Sequence, residues 1–375
     1  MKLAATLMAL LIATPALAAE PVRIGVTTIL SGAMADRGQS EQYGIELALQ
    51  RINEAGGVLG RPVEAFYGDN AANPEMGVKA VHHLIDDDHV PVIIGALATP
   101  VTHAIMPVVQ EAKVPLVIDI SAGQDFVDAS GAGGNPYVFK IIPSDLDIGR
   151  AMAGWLQQQG VHSVAIVADD NAFNKANAAS FAKAMADVNI QVTSNETVPA
   201  GTTDLGPILA RLLDAKPDRI VPILGPSTAA FFKAYEQARA PVPLAGRIDF
   251  GAAMAAVSPD FLRNGGLKDV DGIVVFTPLL DMPGVQDFVA GYRAKYGITP
   301  TQRSFFAYEA AYLVVDAIKQ AGADTPAAIT EALRNTAMPC LLGGSFVMDD
   351  HNHPHTPMQI LSVRDGKVAV IGRAG

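Results

Sequence analysis

The stretch PVIIGALATPVTH, residues 91–103, decides the fold. Val92, Ile93 and Ile94 form a short β-branched run of the kind found in strands buried on both faces of a parallel sheet. Gly95 breaks the run. Thr99 followed by Pro100 predicts an N-cap with proline in the first helical position, opening a helix that continues over 101–112. A strand that stops at a loop and feeds a helix N-terminus presents free backbone N–H groups, a hydroxyl and the positive end of a helix dipole at the carboxyl edge of a sheet. Open α/β folds bind ligands at that edge, and carboxylates suit it. The same residues also fit a plain βα connection that binds nothing.

The flanking sequence repeats the alternation. Strands are expected at 22–28 and 62–67 and helices at 40–53 and 74–86, followed beyond the opening stretch by strands at 115–120 and 137–142 around a glycine-rich loop at 131–136. This predicts a doubly wound parallel sheet. The pattern then restarts, with helices at 147–159, 172–188, 204–215 and 228–238 and strands at 164–168, 190–198 and 219–224. It is a second unit of the same plan, without a residue-level repeat. A strand at 273–276, helices at 285–296, 305–322 and 327–334, and strands at 345–348, 358–364 and 367–371 complete the chain.

At 375 residues the chain exceeds what one core usually holds, so two domains are expected. A net charge of -11 argues against nucleic acid as a partner. MKLAATLMALLIATPALAAE opens the chain with a lysine, an apolar run too short to span a bilayer, and an A-x-A site, so a signal peptide over 1–18, cleaved after Ala18, is expected, and with it export to the periplasm. Cys340 is the only cysteine, which excludes an intrachain disulfide, and it reads as a small buried hydrophobe.

Motifs for phosphate cradling, dinucleotide binding, serine hydrolysis and zinc proteolysis are absent. Asp86, Asp87 and Asp88 read as a solvated helix end, because three adjacent carboxylates cannot all face one ion. His351, His353 and His355 alternate as strand residues sharing one side would, a weak match to a transition-metal site. Asn352 and Pro354 make the segment a turn, so the expectation is a hairpin loop joining the two flanking strands, with no metal and no cofactor.

Three segments carry a family resemblance: VRIGVTTILSGAMADRGQSEQYGIELALQRINEAGGVLGRPVEAFYGDN, VIIGALAT, and FVAGYRAKYGITPTQRSFFAYEAAYLVVDAIKQAG. The chain resembles the leucine/isoleucine/valine-binding family of type I periplasmic binding proteins, the solute-binding components of ABC importers, over essentially its whole mature length. The resemblance implies two doubly wound parallel-sheet lobes joined by three hinge crossovers and closing on a small ligand. Lobe 1 would comprise 21–142 and 279–345, lobe 2 143–278 and 346–375, with hinges near Pro143, Pro278 and Phe346. It further implies that the loop after VIIG, here Ala98 and Thr99, and the stretch Ser121, Ala122 and Gly123 hold the ligand's carboxylate.

The chain departs from the family pattern on the second lobe. Phe173 stands where a tyrosine is common, Gly225 and Pro226 stand where another is often found, and Asp249 is the one candidate acid for an amino group. A buried ammonium needs acceptors, so an α-amino acid is less secure as the ligand. Arg37 falls beside the expected variable end of the ligand, where an arginine can grip a second carboxylate. The implied protein is a monomeric receptor that delivers a small amino acid, carboxylate or amide to a membrane permease. The alternatives are a ligand sensor on the same fold and, less favoured, an enzyme pairing His103 with Asp249.

Overall fold

The computed structural model describes residues 20–375, so the expected signal peptide lies outside the described residues. The first sheet contains β1 (Val22–Thr28), β2 (Val63–Asp69), β3 (Ile93–Gly95), β4 (Leu116–Ile118) and β5 (Val138–Lys140), all parallel in the order β2-β1-β3-β4-β5. Both faces are covered. Helices α1 (Ala35–Glu54) and α12 (Gln302–Ala321) pack together on one side, α2 (Pro74–Asp86) and α3 (Thr99–Ala112) on the other. Val92, Ile93 and Ile94 are fully buried, as a central parallel strand requires.

The second sheet repeats that order. β6 (Ser163–Asp169), β7 (Gln191–Val198) and β8 (Arg219–Ile223) form β7-β6-β8, a bridge from Ile220 to Leu244 brings in β9 (Ala245–Gly246), and β9 pairs in parallel with β10 (Asp271–Val274). Two antiparallel strands, β13 (Met358–Arg364) and β14 (Lys367–Ala374), extend it. Helices α5 (Asp145–Gln158) and α6 (Ala172–Asp187) contact one another beside it, as do α7 (Gly206–Asp214), α8 (Thr228–Ala238) and α9 (Phe250–Ala256) in turn. The chain passes between elements of the two sheets three times, over 141–144, 275–282 and 348–357.

Two local expectations are corrected. Helix α3 begins at Thr99 and its N-cap is Ala98, so Thr99 is an exposed first-turn residue and makes no capping bond. The loop is tied instead by Thr102, whose hydroxyl lies 3.2 Å from the carbonyls of both Ala96 and Ala98. The histidine segment is not a hairpin loop. β12 (Ser345–Val347) pairs with β11 (Ala337–Pro339), while β13 pairs with β10 and β14, so 348–357 is a crossover. That crossover docks along the free edge of β5: Asn352 donates through Nδ2 to Val138 O, and Lys140 N–H donates to Asn352 O, which satisfies edge groups that would otherwise be unpaired. No helix among the described residues is long and apolar enough to cross a membrane.

Candidate ligand-binding site

In a doubly wound sheet the crevice opens at the carboxyl ends of the strands, where the strand order reverses. In the first sheet this lies between β1 and β3, and in the second between β6 and β8. Gly95 ends β3 with φ +129°, and a Cβ there would sit 2.3 Å from Thr27 O, so only glycine permits the bend. Beyond it, Ser121 Oγ lies 2.8 Å from Ala96 O and 2.9 Å from Thr102 Oγ1. Ser121 is therefore used to join two edge loops, and what those loops leave over is backbone. Among the described residues the N–H groups of Ala98, Thr99, Ala122 and Gly123 donate no hydrogen bond, and the Thr99 hydroxyl makes none. The structure thus brings Ala98, Thr99, Ser121, Ala122 and Gly123 onto one edge that offers donors.

On the second sheet Phe173 is 51% exposed in the first turn of α6. The guanidinium of Arg247 lies 5.7 Å from its ring centroid, within cation–π range. Arg247 also pairs with Asp145 Oδ1 at 2.6 Å, and Asn177 donates to the same oxygen at 2.8 Å. Burial pushes the Asp145 carboxyl up, against the pull of Arg247 and Lys140. The loop after β8 is held differently: Asp169 Oδ2 accepts from Gly225 N–H at 2.7 Å, which is why Gly225 and Pro226 can occupy that place without a side chain reaching back. Asp249 is exposed and is the N-cap of α9, accepting from Ala252 N–H at 3.0 Å, so one of its oxygens is already used.

A cavity of about 200 Å³ joins the two halves, lined by Arg247, Ile248 and Asp249 on one side and by Gln302 of α12 on the other. The next residue, Arg303, is half-buried and makes no hydrogen bond or ion pair among the described residues. Burial, and then the neighbouring Arg37, hold its pKa below the usual arginine value, against the pull of Asp36 and Glu41. Beneath the first edge lie Glu41 and Asp119, both fully buried. Burial raises both carboxyls, Glu41 accepts from Thr28 Oγ1 at 2.6 Å, and the two acids face each other, which favours keeping a proton between them.

His103 and Asp249 are not brought together: His103 Nε2 lies 2.7 Å from Asp125 Oδ2, on the first sheet's side. Arg247 and Arg303 are the residues that sequence reasoning missed. The pair from Asp145 to Arg247 joins positions 102 apart, and no local pattern announces it. Cys340 is buried, and burial raises its thiol pKa, as suits a packing residue.

The family described as periplasmic binding protein matches residues 21–367. The Leu/Ile/Val-binding protein homolog 7 of Brucella suis is 24% identical over 97% of this chain and 94% of its own length. The branched-chain amino acid transporter substrate-binding protein LivJ of Streptococcus pneumoniae, solved with isoleucine, superposes with a TM-score of 0.75 at 22% identity, covering 94% of this chain and 99% of that one. An ABC transporter solute-binding protein of R. palustris, solved with benzoate, gives 0.74 at 21% identity over 95% and 98%. With its family match running from the start of β1 into β14, this chain belongs to the periplasmic binding protein family.

Proposed function

We propose that the protein is the extracytoplasmic substrate-binding component of an ABC importer, working in the periplasm as a monomer after loss of its signal peptide. Its lobes are the two sheet units, 21–142 with 279–347 and 143–278 with 348–375, hinged at the three crossovers; the third hinge lies beyond the expected Phe346, because β12 pairs with β11 and stays with the first unit. What supports the reading is the presence of two strand-order reversals, one with an edge rich in unused N–H groups and the other bearing Arg247 and the exposed Phe173 ring. Ala98, Thr99, Ser121, Ala122 and Gly123 receive a carboxylate, with Ser121 shaping the loops. Phe173 and Arg247 cover the ligand body from the second lobe, and Asp249 meets a donor group if the ligand carries one. Arg37 with Arg303 favours a ligand with a second acidic or strongly polar end. The relatives named above are binding proteins, which supports transport over sensing, and the site offers no nucleophile–base pair of the kind catalysis needs. A ligand shifts the hinge only by binding the closed form better than the open one, and that preference is what a permease reads.

Thermal unfolding of the mature chain against leucine, isoleucine, benzoate, succinate and acetamide tests this. At a hundredfold excess over Kd a true ligand adds about 2.7 kcal/mol, a rise of several degrees in midpoint. A flat response to the whole panel would remove small carboxylates and amides as the ligand class.

A further inference from the structure

The crossover at 348–357 carries chemistry that ligand capture does not use. Its His353 is buried, and His353 Nε2 lies 2.7 Å from Asp147 Oδ2 in the first turn of α5, just after the first crossover. His355, 64% exposed, places Nδ1 3.6 Å from Asp147 Oδ1. One ligand atom each from Asp147, His353 and His355 lie within 4.8 Å of one another.

The orientation of each ring is fixed from behind. His353 Nδ1 is 2.8 Å from the carbonyl oxygen of Lys140, which can only accept, so Nδ1 carries a proton; Nε2 faces the Asp147 carboxylate at 2.7 Å, which also only accepts, so this nitrogen carries either a second proton or a cation in its place. His355 stands between two carboxylates, Nε2 3.3 Å from Asp349 Oδ2 and Nδ1 3.6 Å from Asp147 Oδ1, so with its proton on Nε2 it offers Nδ1 to a cation beside Asp147. A metal-ligating histidine characteristically has its second nitrogen held in this way by a carbonyl or a carboxylate. Asp147 is held too: Oδ2 accepts from Ser144 N–H at 2.9 Å within a capping box, whereas Oδ1 accepts no hydrogen bond among the described residues. The 3.6 Å between Oδ1 and His355 Nδ1 is close to the edge of a tetrahedron built on bonds of about 2.0–2.1 Å. Cavities of about 560 and 600 Å³ border the group, and both reach Asp147 and His355, so solvent can complete the coordination.

We propose that Asp147, His353 and His355 form a binding site for a divalent transition metal of the zinc or nickel type, which fastens the third crossover to the first turn of α5. Nitrogen donors with one carboxylate select such ions over magnesium or calcium. The metal takes the place of the second proton that His353 Nε2 needs in order to bond a carboxylate, and it ties one of the three crossovers that must flex when the lobes close to the helix that follows another.

Calorimetric titration of the untagged, EDTA-treated mature chain with ZnCl2, and separately NiCl2 and MgCl2, tests the site. The expected result is one saturable zinc or nickel site per chain, a higher unfolding midpoint with the metal, no response to magnesium, and affinity at least tenfold weaker in His355→Ala. His355 is exposed, so that variant keeps its fold, which an unchanged midpoint without metal verifies. A second variant, His83→Ala, removes a surface histidine that pairs with Asp87 on α2 and should leave binding unchanged. Absence of binding, equal affinity in His355→Ala, or loss in His83→Ala instead would each overturn the proposal.

Discussion

Arg247→Ala loses roughly 3 kcal/mol of folding stability, read as a lower urea midpoint by circular dichroism, and loses ligand binding with it. The partner left behind is the reason. The Asp145 side chain is 4% exposed and Arg247 24%, so truncating the arginine strands a carboxylate where water cannot reach it, while truncating the acid leaves a guanidinium that can turn to solvent. Breaking a buried pair from one side costs about 3–5 kcal/mol, and the partial exposure of Arg247 places this case at the lower end. The sign of the double variant follows: Asp145→Asn with Arg247→Ala recovers most of the loss, because no buried charge remains. Function does not recover, since the Phe173 ring has lost the cation beside it. An Arg247→Ala protein as stable as the parent, or a double variant that is the sum of the two singles, would show that the pair does not hold the second edge.

Gly44→Val is expected to cost about 3 kcal/mol or more. Gly44 lies where α1 crosses α12, and a Cβ there would sit 2.2 Å from Ser304 O. The obstacle is backbone and cannot rotate away, so the helices must part. Overpacking of this kind usually costs about 1–3 kcal/mol, and a branched side chain takes the upper end. Gly44→Ala is milder, because about 1 kcal/mol of helix propensity offsets part of the strain. Since α12 carries Gln302 to the cavity beside Arg247, both variants weaken ligand binding in the same order as they weaken the fold. Urea midpoints in the order parent, Ala, Val check this; a Val variant at the parental midpoint would mean that the helices do not meet so closely.

The parallel sheets were legible because buried strands and amphipathic helices leave patterns over many residues. β1 and α2 lie where the sequence places them, α2 with its Asn73 cap and Pro74 at the first position. α1 starts five residues before its expected onset, since its first turn is polar and lacks a capping side chain. The short elements β9, α9, α10 (Pro259–Arg263) and α4 (Gln124–Asp128) went unread, because two to seven residues carry no period and their form is set by what packs on them. The same division holds at the site. The Thr99 and Ser121 edges follow from strand ends, whereas Arg247 and Arg303 matter through partners or neighbours far along the chain. The histidine crossover reads locally as a turn; that it lines β5 and meets Asp147 is a tertiary fact.

If two rigid halves shut on a small anionic ligand, the molecule becomes more compact as it binds. Small-angle scattering of the mature chain, alone and saturated with whichever of leucine, isoleucine, benzoate or succinate raises its unfolding midpoint, measures this directly. A smaller radius of gyration is expected with ligand, and no such change for Arg247→Ala under the same conditions. A ligand that stabilises the protein while leaving the radius unchanged would contradict it.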